Sequence, residues 1–352
     1  MTIMTETDDA PAAFRASTPP FSAGEAETIL QRFYGLAGQV FVMASERDLT
    51  LGVTAETGER YVLKIANAAE DQAVIRFQDA ALVHLATVAP NLPVSRLVPT
   101  LTGEAEVLVE AEGLPHLVRL LTFLPGRPLS EVLRREPQMA SIGSLLGGVS
   151  RAFESFAYPV PEQEILWDMQ HAAKLRRLTG SIADPALRAP VEAILDRFAG
   201  EIVPRQKHFR RQIIHNDFNP SNLLVAEGDD DCIAGILDFG DMVEAPRIFD
   251  VAVACSYQVP AEGPPLGLVA TLLAACHPVH PLDAGEIEDL FDLISVRHAM
   301  TITIGEWRAR RQPANAAYIL RNHPTAARAI ARFADLDRRA ATETLQRACD
   351  FA

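Results

Sequence analysis

The order of apolar and polar positions predicts a chain that is mostly β in its first third and mostly helical afterwards. Between residues 40 and 66, the short β-branched and aromatic runs VFVMAS, LTLGVTA and RYVLKIA are separated by the turn-like ETGE, a pattern typical of antiparallel strands. Residues 73–86 then return to helical spacing. Two more strands are predicted around 105–109 and 117–123. These runs predict a small antiparallel sheet accompanied by one main helix.

Capping signals locate further helices. Ser22 and Glu25 have capping-box spacing ahead of apolar residues at helical intervals, so a first helix is predicted to begin there. Asp283 and Glu286 have the same spacing and predict the start of a helix in the second half. A last helix is predicted from about residue 324 to 347.

The breaker cluster LPGRP at residues 124–128 separates the β-rich part from the helical part. We therefore expect a disordered polar leader over residues 1–20, a first lobe over 21–123 and a second lobe over 124–352. A chain of 352 residues is long enough for two lobes that each bury a core. The predicted fold class is α+β.

The strongest β signal in the second lobe is the stretch IIHNDFNPSNLLVAEGDDDCIAGILDFGD, residues 213–241. Its two apolar runs, about 223–226 and 232–237, predict a hairpin joined by the acidic segment EGDDD, which we expect to be a solvated turn. The open end of such a hairpin would carry Asn222 and Asp238 side by side. Paired oxygen ligands of this kind suit a hard cation such as Mg²⁺.

Asp217 lies five residues before Asn222, on the loop that precedes the hairpin. At that position it would project beside the metal, where a hydroxyl nucleophile must be oriented and deprotonated. His215 is expected to brace the loop through hydrogen bonds rather than to act as a base. The alternative interpretation of the whole stretch is a buried hairpin whose ends are merely polar.

Charge and cysteine content narrow the classes of partner. The chain has 32 Lys and Arg against 46 Asp and Glu, a formal net charge of −14, which disfavours nucleic acid as a partner. Its four cysteines have no CxxC pairing and are interpreted as reduced thiols. The N-terminus lacks the pattern of a signal peptide, and no segment has about 18 uninterrupted apolar residues. We expect a cytoplasmic protein that does not bind a membrane.

The stretch HNDFNPSN followed by DFG resembles the catalytic and metal loops of the protein-kinase-like fold, and within it the aminoglycoside phosphotransferase and choline kinase group. The resemblance extends to YVLKIAN around Lys64, and VRLLTFLPGRPL and ILDFGDMVEAPRIFDVA resemble hydroxylysine kinases especially. It covers most of the chain after about residue 20. It implies a bilobal fold with a small N-lobe sheet and a larger, mostly helical C-lobe.

The resemblance implies a nucleotide site in the first lobe. Lys64 would contact the α and β phosphates, and backbone groups of Thr122 and Leu124 would meet the base at the hinge. No GxGxxG is present, so the loop SERDLT beginning at Ser45 is expected to cover the phosphates. Gln78 occupies the position where the family usually has a glutamate partner for the lysine, and Asp79 or Glu70 could substitute.

In the second lobe, the resemblance implies that Asp217 is the catalytic base and that Asn222 and Asp238 hold the metal. Asp250 matches a position that supports the catalytic loop in this family. Asn216 replaces the Arg or Gly commonly found between the His and the Asp. Asparagine tolerates a left-handed backbone better than most residues, so we expect the loop to accommodate it.

The segment after DFG indicates a small acceptor. Only twelve residues separate Asp238 from Asp250, with no APE motif, so there is no room for the activation segment of a protein kinase. We predict phosphoryl transfer from ATP, or GTP, to the hydroxyl of a small amino-bearing alcohol or hydroxy amino acid. The first candidate is 5-hydroxylysine; aminoglycosides, homoserine, choline and ethanolamine are alternatives. A catalytically inactive nucleotide-binding regulatory protein is the alternative of another class.

Four residues are candidates for contact with the acceptor. Asp241 could reach an amino group, although a solvent-facing carboxylate is the alternative. Trp167 and Trp307 are the two tryptophans and could line a pocket or stack on a cation, or simply pack. Arg297 could bind a substrate carboxylate or form an exposed salt bridge.

Overall fold

The computed structural model describes residues 18–43, 45, 48–163 and 165–351, so most of the expected leader over residues 1–20 lies outside the described residues. The chain divides into two compact units. Unit 1 comprises Met1–Thr87, Pro93–Leu124 and Tyr158–Pro161, and unit 2 comprises Val88–Leu92, Pro125–Ala157 and Glu162–Ala352. Unit 1 is built on a sheet and unit 2 is mostly helical, so the predicted α+β class is confirmed.

The described part of unit 1 contains a sheet of six antiparallel strands. The order is β1-β2-β3-β6-β4. Strand β5 also pairs with β6, on the same edge as β4 but at the other end of the strand. The strands predicted from the sequence are confirmed, and the two-residue β4 is an addition that no periodicity could signal. The strands are β1 Gly38–Met43, β2 Leu49–Ala55, β3 Arg60–Ile65, β4 Leu97–Val98, β5 Val107–Ala111 and β6 Leu114–Thr122.

Two helices belong mainly to unit 1. Helix α1, Ala23–Ile29, begins at the predicted capping box, in which the Glu25 N–H donates to Ser22 Oγ and the Ser22 N–H donates to the Glu25 carboxylate. Its apolar side packs on buried residues of β2, β3 and β6, including Leu63 and Ile65. Helix α2, Gln72–Val88, confirms the helix predicted at 73–86.

Unit 2 contains eight α-helices and five short strands among its described residues. The helices are α3 Glu136–Phe153, α4 Pro185–Arg197, α5 Ile248–Ser256, α6 Gly267–Cys276, α7 Ala284–Arg311, α8 Ala316–Ile319, α9 His323–Ala334 and α10 Arg338–Ala348. The strands are β7 Arg127–Pro128, β8 Arg211–Ile214, β9 Leu223–Ala226, β10 Asp229–Ile236 and β11 Val243–Pro246. Short 3-10 or π-helical turns cover Leu129–Glu131, Met169–Ser181, Phe198–Ile202, Val203–His208 and Pro313–Asn315.

Two helix predictions in unit 2 have different outcomes. Helix α7 begins at the predicted capping box of Asp283 and Glu286, and its first five turns are almost wholly buried, so it runs through the core of the unit. The single helix predicted over 324–347 is wrong, because it is divided into α9 and α10. Asp337 interrupts it, since its side chain accepts a hydrogen bond from the Ala340 N–H (2.9 Å) and caps a new helix.

Helix α3 holds the hairpin of unit 2 in place. The Ile233 N–H donates to Ser141 Oγ (3.0 Å), and Gln138 Nε2 donates to the carbonyl of Asp230 (2.9 Å). On its other side α3 packs closely on α6, where a Cβ added to Gly143 would lie 2.1 Å from the Leu272 carbonyl oxygen. Only glycine permits that approach.

In the part of the chain that the structure describes, no helix combines the length and apolar character needed to cross a membrane.

Candidate functional site

The predicted hairpin forms and joins the two halves of the sequence motif. Strands β9 and β10 pair antiparallel, and the Leu237 N–H donates to the Asn222 carbonyl (2.8 Å), so Asn222 and Asp238 flank the same end of the hairpin. Strand β8 pairs with β11, with Ile214 opposite Val243. The segment that follows β8 therefore lies beside the segment that precedes β11.

The acidic segment differs from the predicted solvated turn. Residues Glu227 and Gly228 make the turn, with Gly228 at φ 82°, and Asp229 already belongs to β10. Asp230 and Asp231 form ion pairs with Arg127 (2.5 Å) and Arg135 (3.0 Å). A two-residue turn with a glycine at positive φ suits the twist of a hairpin better than a longer acidic loop.

Asp250 and His215 fix the loop that carries Asp217. The carboxylate of Asp250 accepts hydrogen bonds from the N–H groups of His215 (3.1 Å) and Asn216 (2.8 Å). His215 is fully buried; its Nε2 meets the Leu237 carbonyl (3.1 Å), and its Nδ1 accepts from the Asp217 N–H (3.3 Å). Burial raises the pKa of Asp250, and the two backbone donors oppose that rise.

Two residues of this region adopt left-handed backbone without being glycine. Asn216 has φ 63°, as its expected tolerance allowed, and its side chain donates to the Asp241 carbonyl (3.1 Å). Asp238 has φ 58°, and its carboxylate accepts from the Gly240 N–H (3.1 Å). The contact with Asn216 places the Asp241 backbone beside the loop.

The carboxylate of Asp217 is held between an amide and a guanidinium. Its Oδ2 accepts from Asn222 Nδ2 (2.7 Å), and its Oδ1 lies 3.5 Å from Arg297 Nη2. The Asp217 side chain is 21% exposed, so a small molecule can reach it. A fixed, accessible carboxylate can orient a hydroxyl group and accept its proton.

Asn222 and Asp238 suit a magnesium ion. Because Asn222 turns its Nδ2 toward Asp217, its Oδ1 is left as an acceptor, and the exposed Asp238 flanks the same end of the hairpin. Magnesium is commonly held by one or two protein oxygens, with water and substrate phosphates completing the octahedron. Among the described residues, no group of three or more His, Cys, Asp or Glu side chains could hold a metal ion.

Arg297 and Trp167 belong to this site, whereas Trp307 does not. The alternative of an exposed salt bridge is wrong for Arg297, which is 1% exposed on α7. Its Nη1 donates to the Trp167 carbonyl (3.1 Å), and its guanidinium lies 4.8 Å from the Trp167 ring. Trp307 lies ten residues further along α7, about 15 Å away, and stacks with Arg311.

In unit 1, Lys64 lies on the face of β3 opposite the buried Leu63 and Ile65. Its neighbour across the sheet is Arg119 of β6. Arg119, rather than Lys64, binds helix α2: it donates to Gln78 Oε1 (2.7 Å) and forms a buried ion pair with Asp79. No described residue forms a hydrogen bond or ion pair with the Lys64 side chain, so the predicted bond between Lys64 and Gln78 is absent.

The remaining nucleotide-site predictions concern Thr122, Leu124 and Ser45. The Thr122 N–H donates to the Arg96 carbonyl (2.8 Å), whereas Leu124 makes no hydrogen bond to the described residues. Of the two hinge positions, Leu124 therefore has the free backbone N–H. Ser45 is exposed, but its neighbours Ala44, Glu46 and Arg47 lie outside the described residues.

Sequence reasoning missed Arg119 and Tyr257. Arg119 is the single charged residue in the apolar run LVRLL of β6, and a charge in such a run signals a buried ion pair. Tyr257 follows α5 with no comparable signal. Burial raises its pKa, Arg297 opposes the rise, and the charge of Asp217 adds to it.

Known proteins resemble this chain over most of its length. The profile of the phosphotransferase enzyme family matches residues 46–286, more than half of the chain. Hydroxylysine kinase of Mus musculus is 27% identical over 350 residues, covering 93% of each chain. Hydroxylysine kinase of Danio rerio is 26% identical and covers 87% of this chain and 89% of the relative.

Solved structures share the fold at lower identity. A microcompartment-associated aminopropanol kinase has a TM-score of 0.66 at 17% identity, covering 93% of this chain and all of the other. The amicoumacin kinase hAmiN, solved with AMP-PNP, Ca²⁺ and its antibiotic, also has a TM-score of 0.66, at 15% identity, covering 91% of this chain and 97% of the other. The predicted protein-kinase-like bilobal class is confirmed by these likenesses.

Proposed function

The chain belongs to the phosphotransferase enzyme family, and from this membership we propose that it transfers the γ-phosphate of ATP to the hydroxyl of a small amino-bearing alcohol. It is a small-molecule kinase, an enzyme that phosphorylates an alcohol group, as the resemblance implied. The proposal adds the nucleotide, the kind of acceptor and the residues that act.

The observation that carries the proposal is the environment of Asp217. Its carboxylate is accessible and is oriented by Asn222 on one oxygen and Arg297 on the other. The backbone beneath it is fixed by Asp250 and His215. Phosphoryl transfer depends almost wholly on positioning and charge stabilisation, so a rigidly held base of this kind is what the reaction requires.

In the proposed reaction the acceptor hydroxyl donates a hydrogen bond to Asp217. Its oxygen attacks the γ-phosphorus in line, the new O–P bond forms as the bond to the β-phosphate oxygen breaks, and the proton passes to Asp217 while ADP leaves. Asn222 Oδ1 and Asp238 would hold Mg²⁺, which supplies charge neutralisation on the phosphates when bound. Lys64, whose ammonium has no described protein partner, would bind the α and β phosphates.

For the acceptor, we place 5-hydroxylysine first. The matched curated relatives are named hydroxylysine kinase and align over about nine-tenths of this chain, which supports a hydroxy amino acid. Identity of 24–27% leaves room for a different acceptor, and a fold neighbour is titled aminopropanol kinase. Homoserine, ethanolamine, choline and aminoglycosides are therefore the comparison substrates.

A regulatory protein that binds nucleotide without transferring phosphate is the second candidate. The observation that favours it is Gln78, which leaves Lys64 without the usual acidic partner and is itself bound to Arg119. The two candidates differ in the role of Asp217, because a purely regulatory protein does not need a base.

The test is coupled ADP release with Mg²⁺ and ATP or GTP over a panel of 5-hydroxylysine, homoserine, ethanolamine, choline and aminoglycosides. We expect one acceptor to raise turnover, and Asp217→Asn to lower kcat by about 10²- to 10⁴-fold. The exposed Asp335→Asn is the matched control and should leave kcat unchanged. Turnover that no acceptor stimulates and that Asp217→Asn leaves intact would refute the kinase assignment.

A further inference from the structure

Unit 2 contains a cavity of about 370 Å³ that the mechanism has not used. It is lined mainly by hydroxyl, amide and basic groups, including the side chains of Arg134 and Arg321. None of the described residues that line it is an Asp or a Glu. In a chain of net charge −14, a cavity with two arginines and no lining carboxylate is selective for an anion.

Neither arginine is neutralised by a carboxylate of the described chain. Arg134 donates to the carbonyls of Leu129 (2.5 Å) and Val132 (3.3 Å), and its buried Nε has no partner. Burial lowers the pKa of Arg134 to about 10, so the group stays charged at neutral pH. Arg321 donates to the Tyr318 carbonyl (3.0 Å) and lies over the Tyr318 ring, and neither contact cancels its charge.

His298 adds a buried polar group without a partner. It is 3% exposed, and its Nε2 has no hydrogen-bond partner among the described residues. Burial, assisted by the charge of Arg297, lowers the pKa of His298 to about 3, so the ring is neutral at physiological pH. A neutral imidazole can donate one hydrogen bond to a bound oxygen.

Helix α9 begins at the same cavity. Its cap, Asn322, and the first-turn residue Thr325 both line the cavity, so the positive end of a twelve-residue helix faces it. The helix terminus and the two arginines supply positive charge, and the neutral His298 supplies a hydrogen-bond donor, so each favours a bound anion.

The cavity adjoins the catalytic loop. Pro220 and Ser221, which follow Asp217 on that loop, form part of its wall. Tyr257 is another lining residue; burial raises its pKa, and the charge of Arg297, the residue that contacts Asp217, opposes the rise. Asp217 itself does not line the cavity, so only one end of an acceptor whose hydroxyl reaches Asp217 would occupy it.

We propose that this cavity binds the carboxylate of a hydroxy amino acid acceptor through Arg321, which precedes α9, and Arg134, which precedes α3. The inference rests on the proposed function and specifies its substrate class. It transfers the carboxylate-binding role from Arg297, which is engaged by Asp217 and the Trp167 carbonyl, to two arginines that have no acidic partner. A guanidinium fork matches the two oxygens of a carboxylate.

The size of the cavity agrees with this substrate class. Ligand sites for small molecules span about 300–1,000 Å³, and 370 Å³ is near the lower end of that range. The carboxylate end of an amino acid fits such a volume, whereas a multi-ring aminoglycoside would need more room. The absence of an acidic lining residue in the described cavity also disfavours an acceptor that carries only amino groups.

The test compares acceptors that differ only in the carboxylate, using 5-hydroxylysine against 5-hydroxylysinamide and homoserine against homoserinamide. For the wild type we expect kcat/KM to be about 10- to 100-fold higher for the acid of the preferred pair. Arg321→Gln should lower kcat/KM for the acid by a similar factor and change that of the amide less than about twofold. Arg328→Gln, an exposed arginine of the same helix, is the matched control and should preserve the preference.

Equal use of acid and amide by the wild type would overturn the carboxylate site, as would turnover of aminoglycosides or choline alone. Equal loss for both members of a pair in Arg321→Gln would also overturn it, since that result indicates a structural role. If no acceptor is phosphorylated, the proposed function fails separately. Isothermal titration calorimetry with 5-hydroxylysine and its amide then decides the site: binding of the acid that Arg321→Gln weakens supports it, and no such binding refutes it.

Discussion

The loop around Asp217 in unit 2 and the strand around Lys64 in unit 1 both carry charged residues that the sequence singles out, yet they are built differently. The Asp217 loop is held mainly by residues of one continuous segment and by Asp250, only 34 residues from Asn216. The face around Lys64 is organised by Arg119, its neighbour on the adjacent strand β6, which bonds to α2. Contacts within one segment can be predicted from residue spacing. Contacts between strands and a helix cannot, because either Lys64 or its neighbour Arg119 could have bound α2, and the structure shows that Arg119 does.

The largest effect that tests this comparison is expected from Asp250→Asn. An asparagine can accept only one of the two backbone hydrogen bonds and presents an N–H₂ to the other donor. We expect kcat to fall about 100-fold through misplacement of Asp217, and the free energy of unfolding to fall by about 3 kcal/mol. Steady-state kinetics and equilibrium denaturation measure the two quantities, with Asp335→Asn as the control. An unchanged kcat in the folded variant would show that the loop does not depend on Asp250.

A smaller effect, on stability, is expected from Arg119→Met. This change leaves Asp79 as a buried carboxylate without its guanidinium, which costs about 3 kcal/mol of unfolding free energy. Arg76 is on α2, as Asp79 is, and forms an exposed ion pair with Glu106. Removing that pair by Arg76→Met should cost less than about 1 kcal/mol. Denaturation followed by circular dichroism compares the two variants. Equal stability would mean that the bond across the sheet does not hold α2.

The smallest effect is expected from Gln78→Glu, which restores the residue usual at this position. Because Arg119 already binds residue 78, the new carboxylate should pair with Arg119 and leave Lys64 unchanged. We therefore expect the KM for ATP to change less than about threefold. A tenfold decrease would contradict the comparison, since it would show that a glutamate reaches Lys64 in spite of Arg119. Gln72→Glu, at the start of the same helix, where the half-buried side chain accepts a hydrogen bond from Arg76, controls for added negative charge.

Much of the fold could be predicted because its signals are local. Two capping boxes gave the starts of α1 and α7, and β-branched runs gave the main strands of unit 1. The prediction was wrong where two local signals competed. Residues 324–347 are helical in composition, but Asp337 also caps, and the cap divides the helix. In the hairpin, Gly228 permits a two-residue turn where the acidic composition predicted a longer one, so Asp229 belongs to a strand.

The site could be predicted only in part. Spacing identified the stretch that contains Asp217, Asn222 and Asp238, because their geometry follows from one loop and one hairpin. It did not identify Arg119 or Arg321, since their roles depend on elements that are distant in sequence. It assigned the substrate carboxylate to Arg297, which the structure buries against Asp217. Side chains that meet through the packing of separate helices leave no spacing pattern to recognise.

The left-handed backbone of Asn216 restricts which mutations the chain can accept at this position. A side chain at φ 63° is strained by about 1–2 kcal/mol unless it is glycine or a short polar residue that bonds locally. Only Gly is therefore a close substitute, because Asp would place a buried carboxylate against the Asp241 carbonyl to which Asn216 donates, and a β-branched residue such as Val is excluded by its backbone preference. The residue between His215 and Asp217 thus tolerates far fewer substitutions than its position outside any ion pair would suggest.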